Sequence, residues 1–214
     1  MPSSFNCCLF SRWRIIKIFG FVTLFWALYE QHASKWLQQA DEMRLPDWLA
    51  YEQTSAVNAV LILILVPLFN NVIYPVLDKC GVRLQPLRRM LVGFVLTGLS
   101  FIVAGALDVV IGYSPTKSVS ILWQLPQYVI LGGAEVMVSI TGLQFAYDES
   151  PSTMRGAVMG LWLMTTALGN LLVVVITLLP LPTWPGFEPF LYAGLMLIFS
   201  SVFFFVTRTY KYNN

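Results

Sequence analysis

Six apolar stretches, each about as long as a bilayer-crossing helix of roughly 20 residues, leave this 214-residue chain few architectures to adopt. They run approximately from Ile15 to Gln38, Ala56 to Leu77, Met90 to Ile111, Ser118 to Tyr147, Met154 to Leu179 and Phe187 to Thr207, between charged or Pro/Gly-rich breaks. Hydrocarbon satisfies no backbone N–H or C=O, so a spanning element is either a helix or part of a closed barrel. Barrel strands read as short alternating segments, unlike these continuous runs. The expected fold is an all-α integral membrane protein with a six-helix transmembrane bundle over 15–207, a cytoplasmic N-terminal segment 1–14 and a cytoplasmic tail 208–214. With 57% hydrophobic and 11% charged residues and a mean hydropathy of +0.69, the composition excludes a soluble domain.

The 13 cationic residues set the orientation, because Lys and Arg near helix ends are retained on the cytoplasmic side. Under six spans, Arg12, Arg14, Lys17, Lys79, Arg83, Arg88, Arg89, Arg155, Arg208 and Lys211 fall on one face, against Lys35, Arg44 and Lys117 on the other. Both termini are thus expected in the cytoplasm, with the plasma membrane expected ahead of an organellar one. The net charge of +2 comes with no basic stripe interleaved with aromatics, so nucleic acid is not an expected partner. The apolar run after Arg12, Arg14 and Lys17 has no small-residue cleavage site and continues through Glu30, so it reads as a retained span and not a signal peptide. Cys7, Cys8 and Cys80 all fall on the reducing side, so no disulfide is expected, and unmodified thiols are favoured over palmitoylation of Cys7 or Cys8.

The acidic connection from about Gln39 to Ser55 reads as a solvated loop, and Pro180, Pro182, Pro185 and Pro189 separate the last two spans. Pro67 and Pro75 in the second span, and Pro126 with Gly132 and Gly133 in the fourth, predict bends. Gly156 and Gly160 form a GxxxG spacing, for which packing inside the bundle is expected over dimerisation.

Two carboxylates within these apolar stretches, Glu30 and Glu135, are the candidate site residues. An acid at the centre of a spanning helix costs at least roughly 2.5 to 3.5 kcal/mol, and such acids typically line a substrate or proton path. Glu135 lies near mid-membrane in the fourth stretch, with Ser139 at i+4 and Gly142 at i+7 on the same helical face, the pattern of a cavity wall. Glu30 lies closer to the outer side of the first stretch. No Lys or Arg falls away from the ends of any stretch, so the partner of Glu135 is expected to be a ligand, water or another polypeptide, unless the acid is protonated. His32 points to a different face from Glu30 and is expected to be solvated. Asn58, Asn70 and Asn71 in the second span, and Gln124 and Gln127 in the fourth, are candidates for helix-to-helix hydrogen bonds. The single His, with no Cys or acid cluster at ligand spacing, supplies no typical metal site, and the sequence has no GxSxG, HExxH or glycine-rich phosphate loop. Neither an enzyme nor a metal is expected.

Read in order, FWALYEQHASKWLQQA (Phe25 to Ala40), VNAVLILILVPLFNNVIYPVLDKCG (Val57 to Gly81), PLRRM (Pro86 to Met90), ILWQLPQYVILGGAEVMVSITGLQFAYDESP (Ile121 to Pro151) and GLWLMTTALGN (Gly160 to Asn170) carry a resemblance over nearly the whole chain. The chain resembles helices seven to twelve of the proton-coupled oligopeptide transporter family, a branch of the major facilitator superfamily. Such a transporter has two six-helix halves that hold substrate between them near the midplane, and the resemblance implies the carboxyl-terminal half. It further implies that Glu135 meets the amino terminus of a peptide, with Ser139 beside it, Asn58 on the peptide backbone and Trp162 walling the pocket. Glu30 would join a gate salt bridge with a basic residue of the other half, and Glu30 and Glu135 are the implied proton-coupling acids. Two places depart from the family pattern: Gln144, where an acid is frequent, and the run Asp148, Glu149, Ser150, Pro151 in place of Ser-Gln-Ala-Pro.

The implied function is proton-coupled symport of di- and tripeptides, with protons as the coupling ion and no other cofactor. Expected partners are those peptides, the lipid bilayer, and either an amino-terminal transporter half or a second copy of the chain. The alternative is a non-transporting six-helix membrane protein with an interaction or regulatory role, or a truncated transporter fragment.

Overall fold

The computed structural model describes residues 18–47, 49–81, 85–148, 150, 152–178, 182 and 184–208. Helices in chain order are α1 over 18–29, α2 (Lys35–Asp41), α3 (Ser55–Leu68), α4 (Tyr74–Lys79), α5 (Pro86–Tyr113), α6 (Leu125–Glu135), α7 (Thr141–Asp148), α8 (Arg155–Thr177) and α9 (Phe187–Arg208). There is no strand among the described residues, where Arg44 and Ser120 form an isolated bridge.

Several helices join end to end. π-helical turns at Phe69–Ile73 and Val136–Ile140 weld α3 to α4 and α6 to α7. With these unions, five helices among the described residues are long and apolar enough to cross a membrane: Tyr51–Lys79, Pro86–Tyr113, Ile121–Asp148, Arg155–Ile176 and Phe187–Arg208. The first expected span is not one rod, because α1 gives way to a 3-10 turn at Glu30–Ala33 before α2 resumes. Its residues 15–17, the segment 1–14 with Cys7 and Cys8, and the tail beyond Arg208 lie outside the described residues.

Proline explains some of this irregularity. Pro67 and Pro75 bracket the first π turn, and since each lacks the N–H that an α-helix requires, the wider turn between them absorbs the misfit. Pro126 does not bend its span. It sits in the first turn of α6, where the missing N–H has no partner to lose, and the irregularity of that span is the π turn farther on. Pro189 likewise falls in the first turn of α9 instead of the preceding loop. The acidic connection is shorter and less solvated than expected. Gln39 to Asp41 belong to α2, Met43 is fully buried, and the Arg44 backbone bonds to Val119 (2.7 Å) and Ile121 (3.1 Å).

The core gathers around α5, which packs against α6, α7 and α9. Close approach to α6 depends on Gly93, where a Cβ would fall 2.5 Å from Val138 Cγ2 and 3.0 Å from the Ala134 carbonyl oxygen. Around this contact, buried aromatic rings meet edge to face, with centroids 4.9 Å apart for Phe94 and Phe203 and 5.0 Å for Trp36 and Tyr128. In contrast, α3 and α8 leave apolar side chains bare, among them Leu63 (76% exposed), Leu163 and Leu171. Gly156 and Gly160 are also exposed with open space around them, so the GxxxG spacing is not used inside the described bundle.

Two glycine substitutions should therefore behave oppositely. Gly93→Val should destabilise the detergent-solubilised chain by about 1–3 kcal/mol through overpacking, seen as a lower Tm. Gly160→Ala should leave Tm unchanged or raise it, since Gly in a helix costs up to about 1 kcal/mol relative to Ala.

Candidate functional site

Glu135 is the last residue of α6, immediately before the π turn Val136–Ile140. Its Oε2 accepts a hydrogen bond from the Tyr29 hydroxyl at 2.5 Å. Asn58 Nδ2 donates to the same Tyr29 oxygen at 2.7 Å and reaches Glu135 Oε2 at 3.4 Å. Three helices, α1, α3 and α6, thus each contribute one side chain to one cluster. Tyr29 and Asn58 are buried, Asn58 only 4% exposed, while Glu135 is half-buried.

The partner of the acid therefore comes from within the chain, contrary to the expectation that it must lie outside. Tyr29 carried a signal of its own in the sequence: a tyrosine inside an apolar span needs something to receive its hydroxyl proton. Both donors are neutral, and neither Glu135 nor Glu30 has an ion-pair partner among the described residues.

Ser139 lies within the π turn, and its hydroxyl is buried without a hydrogen-bond partner. Asn58 Oδ1 is in the same condition. Buried polar atoms of this kind cost free energy until water or a ligand meets them. The face expected to join Glu135, Ser139 and Gly142 is not kept. The extra residue of a π turn is worth about 100° of helix rotation, and it carries Gly142 away from the acid. A Cβ at Gly142 would strike the Trp162 ring at 2.6 Å, so glycine is what admits that indole. Trp162 itself is 6% exposed and meets Phe19 edge-on at 5.8 Å.

Glu30 opens the 3-10 turn, half-buried, and makes none of the cluster's hydrogen bonds. His32 is not solvated as expected. It is 9% exposed, its Nδ1 lies 2.6 Å from the Tyr29 carbonyl oxygen, and its ring sits 4.5 Å from that of Tyr29, so it props the tyrosine in place. Asn70 and Asn71 are exposed on the first π turn, away from the cluster. Gln124 and Gln127 do act between helices: both amides donate to Gln39 Oε1 at 3.1 Å, and Gln39 donates in turn to the Ala104 carbonyl at 3.0 Å. Asp108, an acid inside the third stretch that drew no expectation, accepts the Gly186 N–H at 2.7 Å and fastens the loop before α9. No group of three or more His, Cys, Asp or Glu among the described residues is placed to hold a metal ion.

A transmembrane acid on one helix is thus held by neutral donors from two others. A family model described as PTR2, POT family, matches residues 11–185. The chain belongs to the POT family. Peptide transporter family 1 of Drosophila melanogaster is 44% identical over 98 residues, covering 46% of this chain and 13% of that protein. Solute carrier family 15 member 3 of Rattus norvegicus is 32% identical over 186 residues, covering 72% of this chain and 32% of that protein. The crystal structure of an auto-inhibited POT family peptide transporter superimposes with a TM-score of 0.87 at 34% identity, covering 95% of this chain and 42% of that one. The chain thus spans less than half the length of these relatives. Its fold is that of a multi-pass integral membrane protein, and the POT family is one of transporters, as the resemblance implied.

The hydrogen bond at the centre of the cluster makes a quantitative prediction. Tyr29→Phe and Glu135→Leu should each cost about 0.6–1.7 kcal/mol of stability in detergent, the range for interhelical hydrogen bonds in membranes. The double variant should lose less than the sum, because one bond cannot be removed twice. Strictly additive losses in thermal denaturation would show that the two groups do not interact.

Proposed function

We propose that this chain forms the carboxyl-terminal half of a proton-coupled importer of di- and tripeptides, in which Glu135 holds the amino terminus of the substrate. The observation that carries this reading is the Tyr29, Asn58 and Glu135 cluster, a carboxylate fixed by two neutral donors with no cation among the described residues to offset it. Hydrogen bonds from neutral groups orient a carboxylate without balancing its charge, and an ammonium is the complementary group. Ser139 Oγ and Asn58 Oδ1, both without a partner, support the assignment, the first able to donate to a peptide carbonyl and the second to accept a peptide N–H. The names of the relatives, peptide transporters among them, support the substrate class.

Proton occupancy of the membrane acids Glu30 and Glu135 couples inward movement of the peptide to inward movement of protons, and no further cofactor is needed. Glu30, with no ion pair in the described chain, is assigned to a gate contact with a basic residue of the amino-terminal half. Trp162 bounds the inner part of the pocket. The bare apolar faces of α3 and α8 support docking against that half or a second copy. The cationic residues put both termini in the cytoplasm, and the plasma membrane is the proposed location.

The test is uptake of a labelled dipeptide into liposomes, driven by a pH gradient, with the chain joined to an amino-terminal half from the family. Glu135→Gln should reduce uptake to background while leaving protein insertion intact, and collapse of the gradient should do the same to the unsubstituted chain. Unchanged gradient-driven uptake by Glu135→Gln would remove the acid from the mechanism.

A further inference from the structure

Toward the end of the bundle where α5 begins and α9 finishes, these two packed helices leave a groove of about 470 Å³ between them. Leu91 and Val95 line it from α5, and Leu197, Ser201 and Phe204 from α9. The serines on its wall are already engaged. Ser200 Oγ donates to the Met196 carbonyl at 2.7 Å and Ser201 Oγ to the Leu197 carbonyl at 2.9 Å, so neither has a hydroxyl proton to offer a ligand.

Helical spacing then sets one arginine on each helix just beyond the lining of the groove. Arg88 precedes Leu91 by three residues and Val95 by seven, while Arg208 follows Phe204 by four and Ser201 by seven. Residues at these intervals share one stripe of a helix, so each arginine continues the stripe that lines the groove. Arg208 lies 5.3 Å over the Phe204 ring, and both arginines are exposed with no ion-pair partner among the described residues.

We propose that this groove seats an anionic phospholipid of the adjoining leaflet, with its phosphate between Arg88 and Arg208 and one acyl chain along Leu91, Val95 and Phe204. A slot with apolar walls that ends in two cations matches the two-part chemistry of a lipid. Inorganic phosphate would leave the slot unfilled, and a zwitterionic lipid such as phosphatidylcholine would bring a choline cation beside the guanidinium pair that offsets the attraction of its phosphate. Basic pockets between transmembrane helices are suited to anionic headgroups for this reason. The groove opens on the side that carries most of the cationic residues, the side assigned above to the cytoplasm.

The experiment is native mass spectrometry and thermal unfolding of the full 214-residue chain in detergent, with dioleoyl phosphatidylglycerol, dioleoyl phosphatidylcholine or inorganic phosphate added. Phosphatidylglycerol should remain bound and raise Tm, while the other two should not. The pair Arg88→Gln and Arg208→Gln should weaken that binding by about 30-fold, the sum of two juxtamembrane cations. The pair Arg88→Lys and Arg208→Lys should retain most of it, which separates loss of charge from loss of fold. Ser201→Phe, which fills the slot and leaves both arginines in place, should also weaken binding. Equal binding of the two lipids, or undiminished phosphatidylglycerol binding by the glutamine pair, would overturn the proposal, as would stabilisation by inorganic phosphate to the same degree.

Discussion

Each donor and acceptor that this chain carries into the membrane costs free energy until another group meets it, because hydrocarbon meets none of them. The long helices meet this demand for the backbone. Polar side chains meet it by pairing across helices: Gln39 with Gln124 and Gln127, Asp108 with the Gly186 N–H, and Glu135 with Tyr29 and Asn58. The last group differs from the others in kind. The amide network is electrically neutral, with Gln124 Oε1 and Gln127 Oε1 left without a partner, whereas an ionised Glu135 with two neutral donors carries a charge that no cation among the described residues balances. The bundle therefore spends its ordinary means of satisfying polar groups on holding this acid still, and leaves the charge itself available.

The two ends of the bundle are held differently. At the end where α2 lies, the glutamine network, the Asp108 contact and the bridge of Arg44 to Ser120 bind α2, α5, α6 and the connecting loops together. The ion pair of Lys35 with Glu188, at 2.6 Å, joins α2 to α9 in the same region. Both partners are more than a quarter exposed, so this pair contributes at most about 1 kcal/mol, and the buried amides are the stronger tie. Toward the end where α4 and α7 lie, glycine-mediated contacts such as that at Gly93 and the two π turns stand beside side-chain ties such as Arg89, 4.0 Å over the Tyr74 ring.

Much of this was legible in the sequence, for reasons that differ from residue to residue. Apolar length alone identifies α5, α8 and α9, because a continuous run in lipid has a single backbone solution. Glu135 was legible because an acid in such a run is costly. Tyr29 signalled only that its hydroxyl needs a partner, and nothing local reveals that the partner is a residue 106 positions away. His32 misled for a related reason: its burial comes from the 3-10 turn, which folds the imidazole back on Tyr29, and a 3-10 turn leaves little periodic trace. The π turns were invisible as such. Proline pointed to irregularity near Phe69, but no proline or glycine within Val136–Ile140 marks the second one, and the shared face of Glu135 and Gly142 was lost with it.

These two wide turns are not independent of each other. Phe69 in the first packs in one small cluster with Val136 and Met137 in the second, so they lie at a common depth on adjacent helices. A helix bends most readily where its hydrogen-bond ladder is already widened. With both ladders widened at one level, the bundle's most compliant cross-section is a plane beside Glu135, on the side of α4 and α7. Strain applied to α4 and α7 would be absorbed there, short of the acid and its two partners.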